Sequence, residues 1–297
     1  MKKTNSFSSN LAETVIVIVL LVFVITCLYP IWNIYVYSFN KGLDSLKGPL
    51  FFFPRIPTLD NFIIAFAENN IVNAFKISIL RTVIGTLSAL ICTSSLAFVM
   101  TKRKLPGYKF FSIFFFITFM FSGGMIPYFL TIKTLGLYDT FLVYIIPALY
   151  SYWYMILFRS FFDTIPESIE ESAWIDGAKP MTVFFRLIIP MSTPVFAAVA
   201  LFIGVGHWND WFVGAFYIKT PSLVPLQTLL RSLLQEVNMM DKMGELSGSF
   251  FQTIVKEITP YSVRSAIVVI TVTPIIMIYP FMQRFIVKGI MLGAVKG

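Results

Sequence analysis

Residues 170–190 read EESAWIDGAKPMTVFFRLIIP, an acidic stretch interrupted by a glycine that lies between two long apolar runs. Five of the 15 acidic residues of the chain fall within positions 163–176, although the formal net charge is +8. They are Asp163, Glu167, Glu170, Glu171 and Asp176. Charged groups are costly inside a hydrocarbon core. The stretch is therefore expected to connect the two apolar runs outside the membrane.

The composition excludes a water-soluble globule. Only 13% of the residues are charged and the mean hydropathy is +0.79, whereas a globular surface needs roughly 25% charged residues to stay solvated. Repeated apolar stretches of about 20 residues can cross a hydrocarbon core of roughly 30 Å as helices. The alternating short strands of a membrane barrel are absent from the sequence. The chain is therefore predicted to be an all-α membrane protein.

Six membrane-spanning helices are predicted from the apolar runs. They cover approximately residues 14–38, 76–100, 110–132, 139–161, 191–212 and 264–286. The first is longer than the apolar part of a secretory signal and has no small-x-small cleavage site at its end, so we interpret it as a retained span. No repeat or linker separates a second domain, and residues 1–297 are treated as one transmembrane domain with a core at about 72–286.

Lys and Arg residues give the predicted orientation, because they are retained on the cytoplasmic side of short connections. Basic residues are denser near both chain ends and between the second and third spans than in the long loops 40–75 and 213–263. Both termini and the acidic loop 162–190 are therefore expected in the cytoplasm, and the long loops outside. In the second long loop, apolar residues from Leu226 to Val237 recur at three- and four-residue spacing, which predicts an amphipathic helix.

The acidic loop is predicted to contain a short helix. Thr164 and Glu167 fit a capping box at its start, and Gly177 can supply the left-handed residue that ends it. Acidic side chains in the first turns are favoured by the helix dipole. A narrow apolar stripe would allow the helix either to rest on the membrane surface or to enter a groove of a partner protein. The acidic residues argue mildly against the first alternative, because the cytoplasmic membrane surface is itself anionic.

The same loop resembles the "EAA" loop of ABC importer permeases, Glu-Ala-Ala-x-x-x-Gly followed by Ile/Leu-x-x-Pro. The matching residues are Glu171-Ser172-Ala173, Asp176-Gly177-Ala178, Phe185-Arg186-Leu187, Pro190 and Pro194, with Ser172 in place of an alanine. The resemblance implies the type I ABC importer permease fold. It also implies that a helix within 164–178 docks into a cleft on a cytoplasmic ATPase subunit and transmits its movements. The docking residues would be Glu170, Glu171, Ser172, Ala173, Asp176, Gly177 and Ala178.

Further stretches extend the resemblance over nearly the whole chain. They are Leu96 to Gly107, the Trp208-Asn209-Asp210 run and the ending from Gln283 to Gly297. These stretches are similar to the carbohydrate-uptake branch, which includes the smaller maltose-importer permease. The resemblance implies a bacterial cell-membrane protein that takes up an oligosaccharide from an extracellular substrate-binding protein. A second homologous permease subunit and two cytoplasmic ATPase subunits would complete the complex. Membrane lipid would surround it, and no nucleic acid is expected as a partner.

The chain lacks the motifs that would let it act alone. No Gly-x-x-x-x-Gly-Lys-Ser/Thr loop is present, so ATP and Mg²⁺ are expected on the partner ATPase subunits and no cofactor on this chain. His207 is the only histidine, and Cys27 and Cys92 lie in apolar spans, so neither a metal site nor a catalytic nucleophile–histidine pair is predicted. A permease for a non-sugar solute, a stand-alone secondary transporter and a membrane enzyme remain alternatives. Apart from Asp139, the first residue of the fourth predicted span, Asp210 is the only acid within the predicted spans, which disfavours the last two.

Two segments are candidates for the substrate path. Trp208, Asn209, Asp210 and Trp211 combine aromatic faces with hydrogen-bonding groups, as sugar binding requires, although tryptophans also form belts at the membrane surface. Gly123 and Gly124 interrupt the third span before Pro127. They allow either close helix packing with a kink or unwound backbone along the path. Lys76 and Arg81, near the outer end of the second span, are expected to extend to the lipid headgroups, although Arg81 is deep enough to face a cavity.

Overall fold

The structure is a computed structural model, and it describes residues 6–67, 69–233, 235 and 260–294. The α-helices are α1 (Ser6–Ser38), α2 (Gly42–Ser45), α3 (Asp60–Ala67), α4 (Asn69–Thr101), α5 (Tyr108–Met120), α6 (Met125–Thr134), α7 (Tyr152–Phe162), α8 (Glu167–Ile175), α9 (Pro180–Val183), α10 (Ile189–Met191), α11 (Thr193–Asn209), α12 (Phe212–Tyr217), α13 (226–233) and α14 (Pro260–Ala294). Short 3-10 helices cover Phe141–Tyr144, Ile146–Ala148 and Pro221–Leu223, and a π-helical turn covers Phe184–Ile188. The all-α prediction is confirmed.

Three helical stretches are long and apolar enough to cross a membrane unbroken. They are Glu13–Ser38, Ile71–Thr101 and Tyr261–Pro280. Three bent pairs give up to six spans if each pair counts as one: Tyr108–Met120 with Met125–Thr134, Phe141–Ala148 with Tyr152–Phe162, and Pro180–Met191 with Thr193–Asn209. The bends measure 117°, 47° and 85°. The predicted number of six spans is reached if each bent pair is one span, and the orientation of the termini stays a prediction.

The chain forms two compact units, Met1–Glu68 with Ser232–Val272 and Asn69–Arg231 with Thr273–Gly297. In the first unit, polar side chains order the loop after α1. Asn61 Nδ2 donates to the carbonyl oxygens of Ser38 and Asn40, both at 2.9 Å. Arg55 Nε donates to Asp44 Oδ2 at 2.8 Å and lowers the pKa of that carboxyl. The assignment of residues 1–297 to one domain stays a prediction.

In the second unit, α4 packs against α7 and α11. Small and aromatic side chains share this core, among them Ala97 and Phe98 of α4, Phe158 of α7 and Val199 of α11. A second apolar cluster joins Ile77, Tyr144 and Tyr217. Helix α4 contains no proline and runs without a break for 33 residues. It is the longest continuous helix within the described residues of this unit.

The amphipathic helix predicted in the second long loop is confirmed for residues 226–233, where Leu226 and Leu230 are buried. Leu234 and Val237 of the predicted stripe lie outside the described residues. Residues 295–297, the last part of the stretch from Gln283 to Gly297 that carries the resemblance, also lie outside the described residues.

Candidate substrate path and coupling loop

A cavity of about 310 Å³ lies within the second unit. Helices α4 and α11 and the segment 143–154 supply most of its walls. Its polar lining consists of Arg81, Thr93, Tyr128, Tyr144, Tyr150, Ser151, Tyr154, His207 and Asp210. Four phenol rings combined with hydroxyl, imidazole and charged groups can hold a solute that has both apolar faces and hydrogen-bonding groups.

Arg81 and Asp210 form an ion pair on the wall of this cavity. Arg81 Nη2 lies 2.5 Å from Asp210 Oδ2, and Nη1 donates to the Asp210 carbonyl oxygen at 3.0 Å. The guanidinium carbon also lies 4.4 Å from the centre of the Tyr144 ring. Arg81 is only 1% exposed. A cation this deeply buried requires a counterion and hydrogen bonds, and the carboxylate, the carbonyl and the ring supply them.

The position of Asp210 is fixed from the other side by backbone. Its Oδ1 accepts the N–H groups of Phe212 at 2.9 Å and Val213 at 3.3 Å, as an N-terminal cap of α12. One carboxyl oxygen therefore caps a helix and the other pairs with Arg81. Asp210 links the end of α11, the start of α12 and the middle of α4.

The other residues predicted for the path lie elsewhere. Trp208 is buried against Phe75 and lines a second, apolar cavity of about 360 Å³. Asn209 accepts a hydrogen bond from Gln227 at 3.2 Å, and the Arg231 guanidinium lies 3.3 Å from the Trp211 ring centre. The structure therefore places Asp210 on the polar cavity but not its three neighbours, and substrate contact by any of the four stays a prediction.

Gly123 and Gly124 lie in the break between α5 and α6, where the chain turns by 117°. Both glycines are exposed, and Gly124 has a φ of +82°, which a side chain would strain. Neither glycine lines the polar cavity. The position of the cavity does not test their predicted role in the substrate path, which stays a prediction.

Sequence reasoning missed the tyrosines of the cavity. Tyr150, Ser151 and Tyr154 come from the run YSYWY at 150–154, which places polar side chains inside a predicted span. Such a run could have been read as a cavity lining, because polar groups in spans usually face a bundle interior. Arg81 does not extend to the headgroups, as was first expected of it, but lies buried on the cavity wall, the position given as its alternative. Its pairing with Asp210 was not predicted.

The acidic loop contains the short helix α8, but the helix begins at Glu167 and not at Thr164. The predicted capping box is wrong: the Thr164 hydroxyl donates back to the Phe161 carbonyl at 2.6 Å, and Pro166 stands at the N-cap without a side-chain cap. The predicted end is confirmed. Gly177 has a φ of +78°, and the N–H groups of Gly177 and Ala178 donate to the carbonyls of Trp174 and Ala173, which is the Schellman motif.

The outer face of this loop is exposed. Glu171, Ser172, Asp176 and Gly177 are exposed, whereas Ala173 and Ala178 are half-buried and pack against the core. Large apolar side chains share the exposed face: Trp174 is 47% exposed, Ile175 87% and Met181 67%. Glu170 differs from the other predicted docking residues, because its side chain is mostly buried and forms an ion pair with Lys102.

Within the described residues, no group of three or more His, Cys, Asp or Glu side chains lies close enough to hold a metal ion.

Known proteins are similar to this chain in sequence or in fold. Protein LplC of Bacillus subtilis is 35% identical over 260 residues, which cover 88% of this chain and 86% of that protein. The polygalacturonan/rhamnogalacturonan transport system permease protein YtcP of the same species is 32% identical over 280 residues, which cover 94% and 96%. A chain of a bacterial ABC transporter involved in the import of the acidic polysaccharide alginate superposes with a TM-score of 0.86 at 25% identity, covering 95% of this chain and 99% of that chain.

The family described as "Binding-protein-dependent transport system inner membrane component" matches residues 89–292. The matched range includes α8 with its glycine end, most of the polar cavity and most of α14. It covers more than half of the 297 residues. The chain therefore belongs to the family of inner-membrane components of binding-protein-dependent transport systems.

Proposed function

We propose that this chain is the transmembrane permease subunit of an ATP-driven importer that takes up an oligosaccharide delivered by an extracellular binding protein. The membership of the family supports the importer and the binding protein. The relative whose name specifies polygalacturonan and rhamnogalacturonan, together with the fold shared with an alginate importer chain, supports a carbohydrate. A second homologous permease subunit and two ATPase subunits complete the complex.

The polar cavity is the observation that carries the substrate assignment. Sugars present C–H faces that stack on rings and hydroxyls that need hydrogen-bond partners. Tyr128, Tyr144, Tyr150 and Tyr154 supply rings and phenol groups, and Ser151 adds a hydroxyl. The Arg81–Asp210 pair adds polar groups to the wall without net charge. The cavity is about as large as the smallest ligand pockets, so it would hold one or two sugar rings at a time.

The loop around α8 is the proposed ATPase-docking site. A short helix with exposed Trp174 and Ile175 flanked by the carboxylates of Glu171 and Asp176 suits a groove with an apolar floor and basic walls. In the proposed orientation the loop faces the cytoplasm, where ATP is available. Closure of the ATPase subunits would move α8, and the permease would alternate between outward and inward access.

The alternative of an ion-driven transporter that acts alone has less support. Such a transporter needs a carboxylate that can release and take up a proton or a cation. Asp210 is already held by Arg81 and by two backbone N–H groups, so its carboxylate is committed to structure.

The test is a reconstituted complex purified through a tag on this chain. Vesicles would contain the complex, and ATP hydrolysis would be measured with its binding protein and each of three probes: oligogalacturonides, neutral arabino-oligosaccharides and an amino acid. We expect an oligosaccharide to stimulate hydrolysis and its uptake to require ATP. Purification without any ATPase, together with uptake that follows an ion gradient, would refute the proposal.

A further inference from the structure

Lys102 and Glu170 form an ion pair at the place where α4 ends and α8 begins. Lys102 follows the last residue of α4, and Glu170 stands in the first turn of α8. The C-terminal end of a helix carries partial negative charge and the N-terminal end partial positive charge. Each side chain therefore complements the helix that bears it as well as its partner. The pair joins the two helix ends at their electrostatically favoured positions.

The surroundings of the pair reduce its exposure to water. The side chains of Lys102 and Glu170 are 30% and 13% exposed. Lys102 Nζ also lies 4.8 Å from the Phe98 ring centre and 5.5 Å from that of Trp174. The ammonium group thus lies between an aromatic ring of α4 and one of α8. Interactions between charges are stronger in such a partly desolvated site than on an open surface.

The nonpolar attachment of α8 is limited. None of its nine residues is buried; Ala173 packs against the core, and Ile169 is also half-buried. Since apolar packing is non-directional and here small, the ion pair is the specific, directional bond between α8 and α4. A displacement of α8 along its axis would act on α4 through this bond.

The far part of α4 holds the polar cavity. Arg81 lies 20 residues before Thr101, so the cavity pair is about 30 Å along the helix from the α8 contact. Proline kinks are absent from α4, and it packs along α7 and α11. Because sharp kinks arise mostly at proline, α4 is expected to transmit an axial displacement along its length. One element therefore carries the Lys102 contact at one end and the Arg81–Asp210 pair further along.

We propose that the Lys102–Glu170 ion pair is the joint through which movement of α8 reaches α4 and the cavity. Lys102 is a positioning residue: it contacts neither the transported solute nor the ATPase. The proposal rests on the proposed docking of an ATPase at α8. Lys102 transmits the movement, whereas Glu171, Trp174 and Ile175 receive it.

The test uses the whole complex in vesicles, with Cys27 and Cys92 replaced by serine and a Ser151→Cys reporter in the cavity. A small methanethiosulfonate reagent reports the accessibility of the reporter with and without ATP and vanadate, so no transported solute needs to be known. In Lys102→Met, we expect the ATPase to copurify and hydrolyse ATP as before. The ATP-induced change in the modification rate should shrink about 5-fold or more, as for the loss of a typical coupling free energy.

Two further variants make the result specific. Arg103→Met is the matched control, because Arg103 is the next basic residue but is 71% exposed and 3.8 Å from Asp163; it should keep the full change. The exchange Lys102→Glu with Glu170→Lys should recover part of the change, because the pair is restored while each charge faces the unfavourable helix end.

Three results would refute the proposal that the Lys102–Glu170 ion pair transmits movement from α8 to α4. The first is a full ATP-induced change in Lys102→Met, and the second is its loss in Arg103→Met as well. The third is loss of the copurifying ATPase in Lys102→Met, which would make the pair a support of the docking surface. The reference variant carries only the two serine replacements and Ser151→Cys. If no ATPase copurifies with it, the proposed function is refuted, and the proposed role of the ion pair is refuted as well.

Discussion

Arg81 and Asp210 lie 129 residues apart in the chain, yet the guanidinium binds both the carboxylate and the backbone carbonyl of the same aspartate. The two partners are unequally buried, since the Arg81 side chain is 1% exposed and that of Asp210 27%. Asp210 also accepts two backbone N–H groups, whereas Arg81 Nε has no partner. The arginine therefore depends on the pair more than the aspartate does.

This asymmetry predicts the order of two substitutions. Asp210→Asn keeps the shape of the side chain but leaves a buried cation uncompensated, and it should lower the free energy of unfolding by about 3 kcal/mol. Arg81→Met leaves a carboxylate that is partly solvated and capped by backbone, so the loss should be only about 1.5 kcal/mol. Thermal unfolding in detergent, followed by tryptophan fluorescence, measures both. Asp176→Asn, at an exposed acid, is the control, and equal losses for the two substitutions would contradict the asymmetry.

Local chemistry explains what could be predicted from the sequence. Apolar runs indicated the spans, and Gly177 indicated the end of α8, because both signals act within a few residues of the chain. The Thr164 capping box failed for an equally local reason, since the hydroxyl has a nearer acceptor at Phe161. A hydroxyl near a helix start can bond forwards or backwards, and the sequence does not distinguish the two.

The pairs that organise the candidate sites could not be predicted in this way. Arg81 with Asp210 and Lys102 with Glu170 are 129 and 68 residues apart. Each pair depends on how whole helices pack, and any of the 23 Lys and Arg residues is a possible partner of a given acid. Similarly, Trp208 and Asp210 are neighbours in sequence, yet they line different cavities, because α11 ends between them and the chain turns.

Gly85 provides a test of the packing beside the cavity. A Cβ atom at this position would lie 2.5 Å from Nε2 of His207, whose side chain is buried. Gly85→Ala should therefore lower the free energy of unfolding by about 1–2 kcal/mol, as overpacking does. Gly204→Ala is the matched control, because its Cβ would meet Thr86 Oγ1 at 3.5 Å, an ordinary contact. Both variants would be compared by thermal unfolding in detergent.

Removal of the imidazole completes this test. Gly85→Ala combined with His207→Ala should be more stable than the sum of the two single effects predicts, because the clash disappears with the ring. Additive losses in the double variant would show that the alanine acts on something other than His207.

Asp139 predicts a dependence of stability on pH. Its carboxylate accepts the N–H of Thr220, the N–H of Lys219 and the Thr220 hydroxyl, each at 2.8 Å. These hydrogen bonds, that of the Thr220 N–H foremost, lower the pKa of Asp139. A lowered pKa in the folded state means that the stabilisation is complete above the ordinary aspartate pKa of about 3.9 and is lost as the pH falls through the folded value.

Asp139→Asn should remove this pH-dependent part. Asparagine tolerates the φ of +58° at this position and keeps one acceptor oxygen. The variant should be less stable than the native chain at pH 6, and the difference should narrow as the pH falls from 5 to 3. Unfolding temperatures measured across that range check the sign, and a difference that stays constant would exclude the carboxylate as its source.

The Schellman end of α8 predicts how the proposed docking can be broken. Gly177→Pro cannot donate the hydrogen bond to the Trp174 carbonyl, and its ring cannot adopt the φ of +78°. The loop should then leave α8 misdirected, and copurifying ATPase should fall at least about 10-fold, the loss that corresponds to roughly 1.4 kcal/mol of binding free energy. Gly177→Asn is the matched control, since asparagine accepts this backbone conformation and keeps its N–H.

Glu171→Lys should weaken ATPase association without disturbing the helix end. Lys109→Glu, at an exposed site outside the loop, should leave ATPase association unchanged. Membrane insertion is measured in parallel for all four variants. Undiminished ATPase association in both Gly177→Pro and Glu171→Lys would remove the docking role from this loop.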